Sequence, residues 1–259
     1  MSSSSPPPSL ETELARARAL DVAALADAIE SIGFECTRCG ACCKGYETCG
    51  SDGVDEDGRT EDERGGRGRD EDEAGEREPH TATVFPDEIR RLMDAKGESE
   101  GEGEAYDWRD VARPMPYGLS EERREGETFE WALQTTGCGD CTFYREEGGE
   151  GACAVHEDRP LVCRTYPFSV ALGGTSQPMG EAVDGEGMVR AHECEGLGRD
   201  ISRADAEELA AALKTRAVRE LEEAIGVRDN YRPTDVDGVV VHDSEGQKRP
   251  DGRPLGEET

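Results

Sequence analysis

Four cysteines within eight residues are the feature of this chain that is best suited to chemistry. They lie in the run Cys36-Thr-Arg-Cys39-Gly-Ala-Cys42-Cys43. Thiolates at every third residue can all turn toward one bound ion or cluster, as they do in zinc knuckles and in C-x2-C-x2-C iron–sulfur segments. The run therefore predicts a site for a soft metal.

Four later cysteines complete a patterned set of eight. Cys141 and Cys153 fall in two short runs on either side of a Gly/Glu turn, which predicts a hairpin with one cysteine on each arm. The candidate metal ligands are Cys36, Cys39, Cys42, Cys43, Cys141, Cys153, Cys163 and Cys194. Zinc takes four ligands from paired knuckles, whereas a cubane takes three thiolates from a C-x2-C-x2-C run and a distant fourth. We predict an iron–sulfur cluster or zinc, slightly favour the cluster, and leave open whether there is one site or two.

Basic residues flank these cysteines although the chain is strongly acidic. Residues 36–45 carry Arg38 and Lys44 without an acid, and residues 159–164 carry Arg159 and Arg164 without an acid. Nearby cations lower thiol pKa values and offset the negative charge of a thiolate site. His156 stands three residues after Cys153, a spacing that a mixed site could use, but cysteines already suffice and we expect a packed or surface histidine.

The composition places a limit on the hydrophobic core. Leu, Ile, Val and Phe together number 39 of 259 residues, and the formal net charge is −30. Such values are typical of disordered chains. Metal bonds can supplement a poor core, because the binding free energy of a site absent from the unfolded chain becomes folding free energy. We therefore predict a small, metal-stabilised α+β domain with flanking amphipathic helices and short strands.

The charge and the N-terminus restrict location and partners. An acidic surface of this kind suits a cytosol of very high salt, so we expect a halophilic, haloarchaeal source. Nucleic acid is disfavoured as a partner because no basic stripe is present. The N-terminal segment has neither a basic nor an apolar region typical of a signal, and no run is apolar enough to span a membrane. We expect a cytoplasmic protein without a membrane partner, in which cysteines bind metal rather than form disulfides. The sequence does not identify a protein partner.

Apolar periodicity and composition predict the order of the elements. We expect one or two helices over 10–32, a strand at 81–85, a helix from Pro86, a strand over 129–134, a turn capped by Asp158, a helix from Ser202 to Gly226 and a strand near 238–241. We divide the chain into a disordered Ser/Pro tail (1–9), the N-terminal helix and cysteine run (10–49), a disordered acidic insertion (50–79), the rest of the cysteine-cluster domain with its C-terminal helix (80–226) and a largely flexible tail (227–259).

The cysteine pattern resembles that of a known family. The C-x2-C-x2-C-C run, Cys-Thr-Phe-Tyr at 141–144, Cys-Ala-Val-His at 153–156, Cys-Arg-Thr-Tyr-Pro-Phe at 163–168 and Cys-Glu-Gly-Leu-Gly at 194–198 are similar to the YkgJ-type cysteine-cluster family. The resemblance extends from about Phe34 to Gly198. It implies a site for zinc or iron with no general activity established.

The resemblance also raises an enzymatic alternative. Some relatives are flagellin lysine N-methylases, so a cluster-bearing protein lysine N-methylase-like methyltransferase is the second candidate, and the sequence does not decide whether the protein is an enzyme. The chain lacks a glycine-rich strand-to-helix fingerprint for the methyl donor. It departs from the family pattern by the acidic insertion and by two extra cysteines, Cys49 and Cys138, which we expect not to be ligands.

Overall fold

A computed structural model describes the parts of the chain that position the cysteines. The described residues are 8–45, 81–95, 106–120, 122, 124–137, 139–148, 150–172, 182–184 and 187–256. The predicted acidic insertion, 50–79, and the two extra cysteines, Cys49 and Cys138, lie outside them.

The described residues form an α+β fold, which confirms the predicted class. The helices are α1 (Leu10–Arg18), α2 (Val22–Ile32), α3 (Pro86–Asp94), α4 (Trp108–Val111), α5 (Leu161–Thr165) and α6 (Arg203–Asn230), with a 3-10 turn at His156–Asp158. The strands are β1 (Thr83–Val84), β2 (Ala112–Pro114), β3 (Gly126–Thr128), β4 (Trp131–Leu133), β5 (Tyr144–Glu147), β6 (Glu150–Cys153), β7 (Phe168–Val170), β8 (Ala182–Asp184), β9 (Val189–His192), β10 (Val239–Asp243) and β11 (Gly246–Lys248). None of these helices is both long enough and apolar enough to cross a membrane.

The strands pair in four small sheets. Their orders are β1–β4–β2, β11–β10–β3, β5–β6 and β7–β9–β8. All pairs are antiparallel except β3 with β10. The pair β5–β6 is the predicted hairpin, but its arms lie two or three residues from the expected positions, so Cys153 lies on β6 whereas Cys141 precedes β5.

The first hydrophobic cluster packs α1, α2 and α6 against β7 and β9. Its fully buried members include Ile29, Phe168, Leu213 and Leu221. The predicted N-terminal helix is two helices, because Asp21 caps a new one by accepting hydrogen bonds from the amides of residues 23 and 24 at 2.8 and 3.2 Å. The apolar spacing of α1, α2 and α6 thus serves core packing.

The second hydrophobic cluster lies around β4. Trp131, Ala132 and Leu133 are all buried, because β4 is the central strand of its sheet. The predicted alternation over 129–134 is therefore wrong in detail, and Phe129 is 47% exposed outside the strand. Ile89 and Leu92 of α3 pack into this cluster, as the spacing after Pro86 predicts.

The C-terminal segment differs from the predicted tail. Helix α6 continues through Gly226 and ends at Asn230. A Cβ at Gly226 would lie 2.6 Å from the Cβ of Ser244. The glycine therefore permits a close approach rather than ending the helix. Beyond α6, β10 and β11 pair with each other, and the buried Asp243 carboxylate accepts hydrogen bonds from Trp131 Nε1 at 2.8 Å and from Lys248 Nζ at 2.7 Å. These polar contacts between distant residues hold β10 and β11 in place. The composition of this segment alone predicts a flexible tail.

Candidate metal centre

The cysteine run begins where α2 ends. Gly33 ends the helix with φ +78°, and a Cβ there would lie 2.5 Å from the Arg199 carbonyl oxygen. The amide of Glu35 donates to the Gly196 carbonyl at 3.0 Å, and the amide of Gly198 donates to the Gly33 carbonyl at 3.0 Å. These two bonds hold the first part of the run against the turn that carries Cys194.

The end of the run is held by a different segment. A turn at Gly40 brings the Cys43 amide within 2.8 Å of the Gly40 carbonyl, and the Cys141 amide donates to the Cys43 carbonyl at 2.8 Å. In the middle, the Gly151 amide donates to the Arg38 carbonyl at 2.7 Å. The run is thus tied at its start to the turn of Cys194, and at its middle and end to the hairpin region.

The remaining cysteines come from the hairpin and from α5. Cys141 precedes β5, Cys153 pairs with Tyr144 across the hairpin, and Cys163 lies within α5. Asp158, the predicted cap of this region, does not cap α5. Instead the buried Glu88 carboxylate of α3 accepts the amide hydrogen of Leu161, the first residue of α5, at 2.8 Å. Sequence reasoning missed Glu88 because it lies far from α5 in the chain.

The eight predicted ligands form no disulfide, and the charges of several of them raise the pKa values of others. Burial raises the pKa of Cys194, and the charges of Cys39, Cys42 and Cys36 raise it further. Burial is also the main cause that raises the pKa of Cys163 well above its ordinary value. The charges of Cys141, Cys42 and Cys153 raise this pKa further. Cys42 thus acts electrostatically on both Cys194 and Cys163, and its Sγ lies 3.7 Å from that of Cys43.

Backbone amides point at several of these sulfur atoms. The Gly196 amide donates to Cys194 Sγ at 3.4 Å. Amides of Phe143 and Tyr144 donate to the Cys141 sulfur and lower its pKa, although burial dominates and raises that pKa to about 11. Such donors stabilise the thiolate, which is the form of cysteine that binds metal.

Cys42 has a lowered pKa. A hydrogen bond from Cys43 is the main cause that lowers its pKa to about 7, and the same bond raises the pKa of Cys43. The charge of Arg159 also lowers the pKa of Cys42, and it acts in the same direction on Cys153. Arg145, a cation that sequence reasoning missed, acts on Cys153 as well, whereas Arg164 is exposed on α5.

The donor set fits a zinc ion or an iron–sulfur cluster in chemical type. Four chain segments supply eight thiols, with backbone donors and arginines that favour thiolates. Within the described residues, no three Cys, His, Asp or Glu side chains already stand close enough together to hold a metal ion. The donor types thus suit a metal centre, although the described side chains do not form one.

The histidines near the cysteines have other partners. His156 is exposed, and its Nδ1 lies 3.3 Å from the Glu157 carboxylate, in keeping with the expected surface histidine. His192 is buried, and its Nε2 lies 2.8 Å from Ser169 Oγ.

Comparison with known protein families identifies the family of the chain. A family sequence model named CxxCxxCC, described as "Putative zinc- or iron-chelating domain", matches residues 35–195. The chain belongs to this family. The match covers more than half of the chain and spans all eight predicted ligands, from the residue before Cys36 to the residue after Cys194. It confirms the family that the cysteine motifs indicate and supports zinc or iron as the bound metal. No curated protein and no solved structure matches the chain.

Proposed function

We propose that the protein binds zinc or an iron–sulfur cluster through its eight patterned cysteines and that the bound metal has a structural role. The observation that supports this proposal is the set of backbone hydrogen bonds that join the cysteine run to two other cysteine-bearing segments. Glu35 is bonded to Gly196 in the turn of Cys194, and Cys43 is bonded to Cys141. Four of the thiols pack against the second hydrophobic cluster, namely Cys43, Cys141, Cys153 and Cys163. Redox and metal-handling roles are the alternatives that the experiments distinguish from a structural one.

The position of the cysteine run supports a structural role. Its start follows α2, which belongs to the first hydrophobic cluster. Its end is bonded to Cys141, which belongs to the second cluster. Metal–thiolate bonds at this point would join the two clusters, and structural zinc contributes on the order of 10 kcal/mol of binding free energy to folding.

The slight preference for an iron–sulfur cluster depends on the first three thiols. Cys36, Cys39 and Cys42 have the spacing with which iron–sulfur proteins supply three ligands, and Cys194 is the distant thiol whose electrostatic neighbours are these three. This arrangement offers the remote fourth ligand that a cubane takes.

Elemental analysis of full-length protein purified without oxygen tests the metal. A brown sample with visible charge-transfer absorption and bound iron supports the iron–sulfur cluster. A colourless sample with bound zinc would instead assign zinc to the site. A sample of the reduced protein that retains neither metal, even after reconstitution, refutes the proposed function.

Thermal unfolding with and without metal tests the structural role. We expect a cooperative transition in the loaded protein that is lost or moves far down in temperature after chelation. Cys49→Ser, which replaces an expected non-ligand, is the control and should behave as the wild type. An unshifted cooperative transition in metal-free protein would exclude the structural role and leave redox or metal-handling roles.

A further inference from the structure

We propose that the eight thiols form two adjacent four-thiol sites rather than one. The first site comprises Cys36, Cys39, Cys42 and Cys194, and the second comprises Cys43, Cys141, Cys153 and Cys163. This inference rests on the proposed metal-binding function and adds to it the number of sites and the ligands of each.

The surroundings of the thiols divide them in this way. Four of the eight pack against the second hydrophobic cluster, and these are Cys43, Cys141, Cys153 and Cys163. The other four belong to neither hydrophobic cluster, and of these Cys36 and Cys42 are exposed. The set that packs against the apolar cluster is called the embedded site below, and the set that includes the two exposed thiols is called the solvent-side site.

Backbone hydrogen bonds divide the cysteine run at the same point. The first part is bonded to the turn of Cys194 through Glu35 and Gly196 at 3.0 Å. The last residue, Cys43, is bonded to Cys141 at 2.8 Å. The run therefore presents its C-x2-C-x2-C part to one distant cysteine, and its final cysteine to the hairpin.

Contacts within the second set explain how three separate segments can share a metal. Cys141 and Cys153 stand at the base of one hairpin, where the Ala154 amide donates to the Phe143 carbonyl at 2.9 Å. The charges of Cys141 and Cys153 act on Cys163, and those of Cys163 and Cys141 act on Cys43, while Cys42 of the first set acts on both because it adjoins Cys43. Four thiolates without any other side chain as ligand match the closed, tetrahedral four-cysteine site of structural zinc.

The two sites meet at consecutive residues. Cys42 Sγ and Cys43 Sγ are 3.7 Å apart, so ligands of the two sites are in contact. A divalent ion with four thiolates carries a formal charge of −2, so two adjacent sites concentrate negative charge. Arg159 and Arg145, which act on Cys42 and Cys153, offset this charge from the second-site side.

Cobalt titration of the reduced, metal-free, full-length protein tests the inference. Co²⁺ serves as the probe because thiolate-to-cobalt charge transfer and visible bands report each filled tetrahedral site. We expect the wild type to take up two equivalents per chain. The double variants Cys39→Ser/Cys194→Ser and Cys141→Ser/Cys163→Ser should each take up one. The control Cys49→Ser/Cys138→Ser should take up two.

The outcomes separate this inference from the proposed function. Saturation of the wild type at one equivalent, with all tetrathiolate absorption lost in either site variant, would mean one site and would leave metal binding intact. Absence of tetrathiolate absorption in the wild type would overturn both. Circular dichroism shows whether Cys141→Ser/Cys163→Ser folds. If it does not, the cobalt stoichiometry of the wild type and of Cys39→Ser/Cys194→Ser still decides between one site and two.

Discussion

Replacement of Glu88 tests how the protein positions the helix that carries Cys163. The Glu88 side chain is 3% exposed, and its two oxygens accept the amide hydrogens of Phe85 at 3.2 Å and Leu161 at 2.8 Å. Leu161 begins α5, where Pro160 occupies the cap position and supplies no side-chain bond. A single carboxyl group therefore accepts hydrogen bonds from backbone amides at the starts of both α3 and α5.

The expected loss of stability follows from these two bonds. Glu88→Ala would leave two amides without their partner, and each unsatisfied buried group costs about 1–3 kcal/mol, so we expect a loss of about 2–6 kcal/mol. Glu88→Gln keeps one acceptor oxygen and should lose about half as much. The exposed Glu208 on α6 offers a control, because Glu208→Ala should change the free energy of unfolding by less than about 0.5 kcal/mol.

The charge of Glu88 adds a pH dependence. Burial is the main cause that raises the pKa of this carboxyl group in the folded protein. The folded state therefore favours the protonated form, so this group's stabilising contribution is present below its ordinary pKa of 4.5 and is lost as pH rises through the raised value. Glu88→Gln cannot ionise at this position, so its free energy of unfolding should lack this part of the dependence on pH.

Urea unfolding of metal-loaded protein between about pH 4 and pH 7 measures both effects. Cobalt uptake by the same variants reports whether Cys163 is still held in place, and Glu88→Ala should weaken binding at the embedded site more than at the solvent-side site. A free energy of unfolding for Glu88→Ala within about 0.5 kcal/mol of the wild type would refute the capping role.

Three further substitutions test other contacts. Lys248→Met leaves the buried carboxylate of Asp243 without its ammonium partner and should cost about 3–5 kcal/mol in urea unfolding; a neutral result would mean that this pair does not anchor the C-terminal strands. Arg159→Gln should raise the pKa of Cys42 from about 7, so that alkylation of Cys42 in metal-free protein, followed by mass spectrometry, requires a higher pH; an unmoved midpoint would exclude the arginine as a cause. Gly40→Ala, at φ +76° with the Tyr144 hydroxyl 2.5 Å from the new Cβ, should lower the free energy of unfolding by about 1–2 kcal/mol or more, and an unchanged value would show that the turn relaxes freely.

Sequence patterns located the elements and the cysteine motif because those signals are local. Pro86 with acidic residues after it predicts the start of α3, and Ser202 predicts that of α6, where the Ser202 side chain accepts the Asp205 amide hydrogen at 3.2 Å. The spacing of the first cysteines likewise identifies the family that residues 35–195 match. The individual ligands and their division into sites stay predictions.

Contacts between distant residues carry no such local signal. Glu88 caps a helix that begins 73 residues later, and Asp243 accepts a hydrogen bond from a tryptophan 112 residues away. A buried carboxylate is rare without a partner, but composition cannot show which acid of so acidic a chain has one. The cap of α5 and the order of the C-terminal strands could therefore emerge only from the fold.

Deletion of residues 51–78 tests whether the metal centre depends on the acidic insertion. The bond between Cys43 and Cys141 closes a loop of about 100 residues, and loop-closure free energy grows as about (3/2)RT ln n. Shortening the loop to about 70 residues should then favour closure by only about 0.3 kcal/mol. We expect unchanged cobalt stoichiometry and a free energy of unfolding within about 0.5 kcal/mol of the full-length value, with an equally long Gly/Ser replacement as the control. Loss of metal in the deletion but not in the replacement would mean that the length of this segment is needed to let the cysteine run reach the hairpin. Loss in both would mean that its acidic residues take part in the centre, because the replacement restores length without charge.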